Sequence, residues 1–405
     1  MTKVNKPKIR FKKFKDSWSR RKLSDTQTDF KDGNYGEAYP KETDLTSSIQ
    51  GIPFLRGSNL DNGKLTLTNA RYITQSKHNE LVSGHLIEDD IVIAVRGSLG
   101  SLGYVGPDSV GWNINSQLAI IRTRKMELIG NYLIQFLLSI RGNKEISSHI
   151  TGTALKQLPI KQLKNIKVPV PKLIEQSAIG SLFRTLDDLL DSYKENLANY
   201  QSLKTTMLSK MFPKARQTVP EIRLDGFKGE WENKILSEVT SITMGQSPKS
   251  ENYTDNPNDY ILVQGNADIK DKRVVPRLWT TEVTKFAEIG DIILTVRAPV
   301  GDIGKTDYSV VIGRGVAAIK GNDFIFYTLE KMKMTGFWNK FSTGSTFESI
   351  SSNDIKEAII QIPTIEEQQA IGSYFSNLDQ LITSYQEKIT QLETLKKKLL
   401  QDMFI

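Results

Sequence analysis

Two stretches of the chain have apolar residues at intervals that alternate between four and three. This spacing, kept over several heptads, is typical of a coiled-coil seam. Lys204 and Lys396 are the polar exceptions, and we expect the neighbouring Leu203 and Leu395 to continue the apolar stripe there. The pattern predicts two long helices that bury their seams against each other as an antiparallel coiled coil. The seam positions are Ile179, Phe183, Leu186, Leu190, Tyr193, Leu197, Tyr200, Lys204, Met207 and Met211 in the first stretch, and Ile371, Phe375, Leu378, Ile382, Tyr385, Ile389, Leu392, Lys396, Leu399 and Met403 in the second.

These two helices belong to a repeated segment. Residues 151–213 align without a gap onto residues 343–405, and 22 of the 63 aligned positions are identical. The best-kept part of the repeat begins at Glu175 and at Glu367, where we expect each helix to start. A segment that occurs twice in one chain indicates an internal pseudo-two-fold.

The residues around each helix start support this assignment. Pro171 and Pro363 end the strand-like runs that come before the helices. Thr364 and Glu367 have the spacing of a capping box, in which each residue would satisfy a backbone N–H of the other. The first copy has Lys172 at the cap position, so we expect a capping box in the second helix only.

The regions that precede the helices repeat more loosely. Three kinds of segment recur in both: an N-terminal segment that ends in tryptophan, an apolar run typical of a buried strand, and a short amphipathic helix. In that order the pairs are 7–18 and 220–231, 91–97 and 292–298, and 132–140 and 324–332. We therefore predict an α+β fold with two mixed α/β domains at 1–170 and 214–362, and two spacer helices at 171–213 and 363–405.

The net charge of +8 is distributed unevenly along the 405 residues. Residues 1–213 contain 31 basic and 20 acidic residues, whereas the remainder contains 23 basic and 26 acidic residues. A sequence pI near 9.2 suits a polyanionic partner such as nucleic acid, although solvated surface lysines would give the same charge. One N-terminal group of basic residues is accompanied by a single carboxylate, Asp16, and consists of Lys3, Lys6, Lys8, Arg10, Lys12, Lys13, Lys15, Arg20, Arg21 and Lys22.

The composition also suggests a compartment. The chain contains no cysteine, which is compatible with the reducing cytoplasm. The first residues are charged without an apolar run, so we expect no signal peptide. No apolar stretch approaches the length that spans a bilayer, so a soluble cytoplasmic protein is expected.

A search for catalytic or metal-binding motifs finds little. Gly304 begins a Gly-Lys-Thr sequence, but a phosphate-binding loop needs a glycine where Pro299 stands. The adenine-methylation motifs and a dinucleotide-binding glycine loop are not found. His78, His85 and His149 lack the spacing of metal ligands. We therefore expect neither an active site nor a metal site, and no cofactor on this chain.

The repeated helices resemble those of a known family. Each helix comes shortly after a proline and opens with the sequence E-Q-x-A-I-G. Each repeated segment closes with L-x-x-M-F. Together with two diverged domains, this pattern resembles the specificity subunit of type I restriction-modification systems, and the resemblance covers essentially the whole chain. It implies that the two domains are target-recognition domains for double-stranded DNA and that the chain itself is non-catalytic.

The resemblance also implies partners. Two modification subunits that methylate adenine would dock on the helices, and restriction subunits would translocate and cleave DNA. S-adenosylmethionine, ATP and Mg²⁺ are then expected on those partner subunits. On helix faces outside the seam, the candidate partner contacts are Lys194, Glu195, Gln386 and Glu387.

DNA-contacting residues are expected in polar loops after buried strands, because loops on a rigid scaffold commonly provide recognition. Arg96 and Arg297 are favoured since both end an apolar strand at equivalent positions, although a structural salt bridge would also explain them. The candidates are Arg56, Ser58, Asn59, Lys64, Arg96, Ser98 and Lys156 in the first domain, and Gln246, Ser247, Lys249, Gln264, Asn266, Lys270, Arg273 and Arg297 in the second.

The predicted function is the recognition of a bipartite, asymmetric DNA site, with one half of the site read by each domain. The spacing between the half-sites would be fixed by the helices, at roughly 10 bp by analogy with two-fold readers. The alternative is a non-catalytic coiled-coil scaffold or a DNA-binding protein outside restriction. The recognised DNA sequence does not follow from the residues.

Overall fold

The computed structural model describes residues 6–153, 155–214, 216–341 and 349–405. Lys3 and the start of the second repeat at residues 343–348 lie outside this part. The chain forms two units, one of Met1–Lys194 with Glu387–Ile405 and the other of Glu195–Gln386. Each unit contains one mixed α/β domain and parts of both long helices.

The first domain contains eleven strands among its described residues, followed by the first long helix. A four-stranded sheet has the order β2-β10-β7-β8, a three-stranded sheet has the order β6-β3-β9, and β1 pairs with β11. The strands are β1 Ser19–Lys22, β2 Asp29–Asp32, β3 Ile52–Leu55, β4 Leu60–Asp61, β5 Lys64–Leu65, β6 Arg71–Ile73, β7 Ile91–Ala94, β8 Leu102–Tyr104, β9 Asn113–Ile114, β10 Leu118–Arg122 and β11 Lys167–Val170. The helices are α1 Gln75–Glu80, α2 Gly130–Leu138, α3 Ile140–Ser148, α4 Ile160–Leu163 and the long α5 Leu173–Lys210.

The second domain has a related but larger sheet system. A six-stranded sheet has the order β13-β23-β20-β21-β17-β16, a five-stranded sheet has the order β14-β18-β15-β22-β19, and β12 pairs with β24. The strands are β12 Glu232–Ile235, β13 Ile242–Met244, β14 Tyr253–Thr254, β15 Tyr260–Val263, β16 Ile269–Lys270, β17 Arg273–Val274, β18 Trp279–Thr280, β19 Phe286–Ala287, β20 Ile292–Thr295, β21 Ile303–Lys305, β22 Val310–Ile312, β23 Val316–Ile319 and β24 Ile359–Ile362. The helices are α6 Leu236–Val239, α7 Asp323–Met334, α8 Ser352–Lys356 and the long α9 Ile365–Asp402.

The strands and short helices predicted from the apolar runs are present. All four residues of β7 and of β20 are buried, as expected for continuous apolar runs in the centre of a sheet. The predicted short helices correspond to α2 and α7, which pack their apolar faces into the domain cores. The mixed α/β character of both domains is thus confirmed.

The long helices pack in antiparallel fashion in each unit. In the first unit, the rings of Phe183 and Phe404 lie 6.0 Å apart between centroids, and Lys194 Nζ lies 2.6 Å from the carboxylate of Glu393. Residue numbers therefore rise along α5 as those of the facing residues fall along α9.

The same arrangement occurs within the second unit. The rings of Tyr200 and Tyr385 lie 5.2 Å apart, and those of Phe212 and Phe375 lie 6.1 Å apart. In both units the described seam residues are buried or half-buried, as the heptad pattern predicts.

The polar seam positions differ from the prediction. Lys204 is itself buried, at 5 % exposure, whereas Leu203 and Leu395 remain 39 % and 44 % exposed. The expectation that the leucines continue the apolar stripe was therefore wrong. The lysine ammonium groups are accommodated because carboxylates pair with them: Asp379 with Lys204, and Asp187 with Lys396.

The predicted capping box is only half formed. The Glu367 N–H donates to Thr364 Oγ1 at 3.4 Å, which provides the cap. The Glu367 carboxylate instead accepts two hydrogen bonds from the Arg223 guanidinium, at 2.8 and 2.7 Å. An ion pair with a distant residue thus replaces the reciprocal half of the capping box.

Candidate nucleic-acid interface

Each domain presents a loop that follows a buried strand with a parallel neighbour. In the first domain the strand is β3 beside β9, and in the second it is β15 beside β22. The last residue of each strand accepts a hydrogen bond at its carbonyl from the first residue after the parallel strand. The distances are 3.0 Å from the Asn115 N–H to the Leu55 carbonyl and 2.8 Å from the Gly313 N–H to the Val263 carbonyl. Arg56 and Gln264, the next residues, therefore occupy equivalent positions relative to these strands, although the short turn that follows is capped by Arg56 in the first loop and by Gly265, one residue later, in the second.

A side chain within each loop fixes its shape. Asn59 Oδ1 accepts the Arg56 N–H at 3.0 Å, and Asp268 Oδ2 accepts the Gln264 N–H at 2.7 Å. Asn59 also donates to two backbone carbonyls of the segment that follows, at 3.0 and 3.1 Å. The structure contradicts the predicted DNA contact for Asn59, because this side chain is fully buried and its polar atoms are used within the loop.

Four of the predicted residues in the second domain line one polar pocket of about 210 Å³. They are Ser247, Gln264, Asn266 and Arg297, and Arg314 completes the charged part of the lining. A wider depression of about 660 Å³ shares Gln264 and Asn266 and adds Arg277. These residues come from separate loops of the same domain, and the two depressions lie side by side because they share Gln264 and Asn266.

Arg314 was missed by the sequence analysis. It lies between two buried strands, β22 and β23, and its N–H donates to Ser247 Oγ at 3.1 Å. An arginine that follows an apolar run is the same signal that indicated Arg297. Applying that signal to every buried strand would have found Arg314 as well.

The first domain builds its face from the corresponding loops. Arg96 is exposed, and its guanidinium donates to the Ser116 carbonyl at 2.9 Å. A Cβ atom added to Gly57 would lie 3.5 Å from Ser98 Oγ and 3.9 Å from Gln117 Oε1, so these loops meet at Gly57. Ser58 and Ser98 are exposed beside this meeting point, and Gln117 is a neighbour that the sequence analysis did not select.

The surroundings of Arg96 and Arg297 show whether a structural salt bridge accounts for these two arginines. In the parts of the chain that the structure describes, neither guanidinium forms an ion pair, and Arg96 contacts a carbonyl instead. The backbone of Arg297 pairs with that of Ser349, while its side chain lies exposed at the pocket. Both positions therefore leave a positive charge accessible to a ligand.

Lys64 belongs to a different part of the molecule. Its Nζ pairs with the Asp191 carboxylate on α5, and it lines a pocket of about 410 Å³ beside that helix. In the second domain, Lys272 pairs with Glu330 on the short helix α7 and lies 3.7 Å from the Asp379 carboxylate on the long helix α9. The Lys64 ion pair is exposed, with 49 % and 56 % of the two side chains accessible, and it places Lys64 beside the helix; the DNA contact of Lys64 stays a prediction.

The remaining candidates are exposed but line neither the meeting point of the loops at Gly57 nor the polar pocket of the second domain. Arg273 Nη1 forms an ion pair with Asp307 at 2.7 Å, and the Lys249 Nζ lies 3.8 Å from the Glu251 carboxylate. Exposed pairs of this kind contribute little and can exchange partners when an anion approaches. The exposed candidates of this group are Lys156, Gln246, Lys249, Lys270 and Arg273.

Four of the ten N-terminal basic residues are paired with distant carboxylates. Arg10 donates twice to the buried Glu175 carboxylate, at 2.6 and 2.7 Å, and this hydrogen bonding raises the pKa of Arg10. The other pairs are Lys8 with Asp402 at 3.8 Å, Arg20 with Glu145 at 2.9 Å and Arg21 with Glu127 at 3.2 Å. The impression of an uncompensated basic cluster was therefore wrong for these four residues.

The repeated Glu-Gln pair fixes each long helix to its domain. Glu175 accepts from Arg10 and from the Trp18 indole N–H at 3.1 Å, while Gln176 donates to the Pro171 carbonyl at 2.9 Å. In the second unit, Glu367 accepts from Arg223 and Gln368 donates to the Pro363 carbonyl at 3.0 Å. The two residues are retained in both copies because they make the same joint.

Buried charges join the second domain to its helices. Lys204 Nζ lies 3.0 Å from Glu330 and 2.5 Å from Asp379, and the Tyr327 hydroxyl donates to Asp379 at 3.0 Å. Burial lowers the pKa of Lys204, while the neighbouring carboxylates oppose that shift. Lys272 brings a second ammonium group to the same carboxylates, so the four ionised groups balance in charge.

The predicted partner contacts lie on the long helices. Lys194 is about half exposed and paired with Glu393, and Glu195, Gln386 and Glu387 are exposed. Their role in binding a partner stays a prediction.

Neither a metal cluster nor a membrane span is found in the described residues. No group of three or more His, Cys, Asp or Glu side chains there is arranged to hold a metal ion. None of the helices in the described ranges is both long and apolar enough to cross a membrane. His78 and His85 instead contact each other, with ring centroids 4.7 Å apart.

Two polar, arginine-containing faces on a duplicated scaffold are typical of a protein that binds nucleic acid. The family model described as "Type I restriction modification DNA specificity domain" matches residues 24–199 and 228–394, which is well over half of the chain. The chain therefore belongs to this family and contains two of its domains in tandem. The resemblance indicated by the repeated Glu-Gln helices is thus confirmed.

Several curated proteins are similar to this chain. A candidate type I restriction enzyme specificity subunit, MjaX of Methanocaldococcus jannaschii, is 28 % identical over 368 residues, which cover 86 % of this chain and 85 % of the relative. The MjaVIII specificity subunit of the same organism is 22 % identical over 334 residues and 77 % of both chains. The EcoBI specificity subunit of Escherichia coli is 26 % identical over 173 residues, or 40 % of this chain and 35 % of the relative.

Solved structures support the fold. The crystal structure of the type I restriction-modification S subunit from M. genitalium superposes with a TM-score of 0.68 at 16 % identity, and covers 99 % of both chains. A chain from a study of complex assembly and conformational transition in the type I system gives a TM-score of 0.54 at 23 % identity, and covers 96 % of this chain and 97 % of that one. At these identities the likeness establishes the fold.

Proposed function

We propose that this chain is the DNA-reading subunit of a type I restriction-modification complex and that each domain reads one half of a bipartite site. The observation that carries the proposal is the repeated loop frame, in which a shared backbone position holds a different polar side chain in each domain. Arg56 corresponds to Gln264 there, whereas the arginine that follows the next buried strand is the same in both domains, as Arg96 and Arg297. A shared frame with changed side chains suits two half-sites of different sequence.

The polar faces fit recognition in the major groove. Only there do all four base pairs differ in their pattern of donors and acceptors. The exposed lysines and arginines at the edges of each face would contact phosphates, which position the protein without selecting a sequence. The amide groups and some of the guanidinium groups at the meeting points of the loops would contact base edges, whereas Arg297 would contact a phosphate.

The long helices would set the spacing of the two half-sites. Helix α5 contributes residues 173–194 to the first unit and 195–210 to the second, and α9 is divided in the same way at Gln386. An insertion of about seven residues at matching points of both helices should keep the seam in phase and lengthen the DNA spacer. A recognised site with an unchanged spacer would show that the helices have no measuring role.

The catalytic steps would be carried out by other subunits. Two modification subunits would dock on exposed faces of the helices and methylate adenine with S-adenosylmethionine, and restriction subunits would use ATP and Mg²⁺. Lys194, Glu195, Gln386 and Glu387 are the proposed contacts on this chain. The purified chain alone should therefore leave DNA unmethylated in the presence of S-adenosylmethionine.

The direct test of the proposal is selection of binding sites from a random DNA library. The chain, together with modification subunits, should enrich two short, different sequences separated by a spacer of fixed length. Enrichment without sequence preference would support the alternative of a scaffold or a general DNA-binding protein.

A further inference from the structure

We propose that Arg56 and Gln264 are the equivalent specificity-determining residues of the two domains, with Arg56 selecting guanine and Gln264 selecting adenine. This inference rests on the proposed DNA-reading function. It names the residue in each domain that selects a base and the base that each residue selects.

The backbone places both residues in the same setting. Each directly follows the last residue of a strand with a parallel neighbour, and each has its N–H held by a side chain later in the loop. Their Cα positions are thus fixed by the strand on one side and by Asn59 or Asp268 on the other. A recognition side chain needs such a rigid base, because small displacements break a bidentate contact.

Both side chains contain a buried donor that lacks a partner in the described part of the chain. In the first domain this donor is Arg56 Nε, and in the second it is Gln264 Nε2. A buried donor without an acceptor is unfavourable, and most buried polar groups in native proteins are paired. The same exception at the same position after the strand in two diverged domains indicates that each side chain gains an acceptor when it turns outward from this buried position to a ligand.

The surroundings indicate where that acceptor would come from. Gln264 lines the polar pocket together with Asn266, Arg297 and Arg314, so its amide lies among groups that attract an anionic or acceptor-rich ligand. Arg56 uses one terminal nitrogen to donate to the Asn69 carbonyl at 2.8 Å, which anchors that end of the guanidinium. The rest of its donor edge remains for a ligand.

The chemistry of the two side chains then differs. A guanidinium offers two parallel donors, which match the O6 and N7 acceptors of guanine, whereas a carboxamide offers one donor and one acceptor, which match N7 and N6 of adenine. Exchanging the two residues should therefore exchange the preferred base at one position of each half-site. The other positions should stay as they are.

The experiment uses the complete modification complex with the variants Arg56→Gln and Gln264→Arg. Competition binding measures affinity for DNA sites that differ at each single position. Gln264→Arg should change the preference from adenine to guanine at one position of the second half-site, by roughly 5- to 150-fold. Arg56→Gln should make the reverse change in the first half-site only.

Two further variants keep the test decisive if an exchanged residue fits poorly. Gln264→Ala should lose discrimination at that one position while the rest of the site is still recognised. Lys249→Ala, an exposed control in the same domain, should weaken binding to all sites equally and leave the preferences intact. If Gln264→Ala retains every preference, the inference is wrong, whereas bipartite recognition by the unaltered complex would still support the proposed function.

Discussion

Phe404, two residues after the end of α9, should stabilise one unit without affecting the other. Phe404 is fully buried, and its ring centroid lies 5.8 Å from Tyr132, 5.8 Å from Phe136 and 6.0 Å from Phe183, all within the first unit. The variant Phe404→Ala removes this ring from the centre of an aromatic cluster. The first unit alone should therefore lose stability.

The expected magnitude follows from the burial. Replacing a buried phenylalanine with alanine costs about 3–5 kcal/mol, because the transfer free energy is lost and a cavity remains. Three aromatic neighbours favour the upper part of that range, since edge and stacked contacts each add about 0.5–1.5 kcal/mol. Domains are stable by about 5–15 kcal/mol, so this loss is a large fraction of the total.

Hydrogen exchange measured by mass spectrometry can separate the two units. Peptides from the core strands of the first unit should lose protection by about 3–5 kcal/mol in the variant, and those of the second unit should stay within about 0.5 kcal/mol of the parent. Leu395→Ala, on the same helix but 44 % exposed, is the matched control and should have little effect. A loss of similar size in both units, or a loss below about 1 kcal/mol in the first, would refute this reasoning.

Three further predictions follow from the second unit. Lys204→Met should destabilise it by about 3–5 kcal/mol in chemical denaturation, because the carboxylates of Glu330 and Asp379 lose a buried partner; an unchanged midpoint would contradict the described ion pairs. Burial lowers the pKa of Lys331 from the usual 10.5 to about 8. Between these two pH values the folded state binds fewer protons than the unfolded state, so the stability of the second unit should rise with pH there. Lys331→Met should remove this rise and increase stability at pH 7, as thermal unfolding at several pH values would show. Arg297→Ala should weaken DNA binding and lower the slope of log affinity against log salt by about one, with assembly intact in size-exclusion chromatography; an unaltered slope would exclude a phosphate contact.

The helical part of the fold was predictable because its signals are local and repeated. The heptad spacing and the prolines at Pro171 and Pro363 predicted helices that start near Glu175 and Glu367, and the structure begins them two residues earlier. The burial and ion pairing of Lys204 were not predictable in this way. Its partners come from positions 330 and 379, so no local pattern indicates that the lysine is buried while Leu203 is exposed.

The candidate interface was predictable in its location but only partly in its residues. The rule that arginine follows a buried strand selected Arg297, which lines the polar pocket. The composition of a loop does not show which polar residue shapes it and which faces outward, so Asn59 was selected although its amide is used within the loop. The ion pair of Lys64 was not predictable either, because its partner, Asp191, lies on a helix far along the chain.

The duplicated helices gain a specific meaning from the structure. Their shared Glu-Gln start fixes each helix to a domain through Arg10 or Arg223. The phenylalanine near the end of each copy packs into a domain core, Phe404 in the first unit and Phe212 in the second. Both ends of each repeated helix are therefore structural joints, and the diverged loops of the domains are free to change their ligands.

Methylome sequencing of cells that express the modification subunits with and without this chain tests the central claim most directly. We predict methylated adenines in a bipartite motif with two different halves and a fixed spacer, present only when the chain is expressed. A motif that is identical without the chain, or methylation without any sequence motif, would contradict the account.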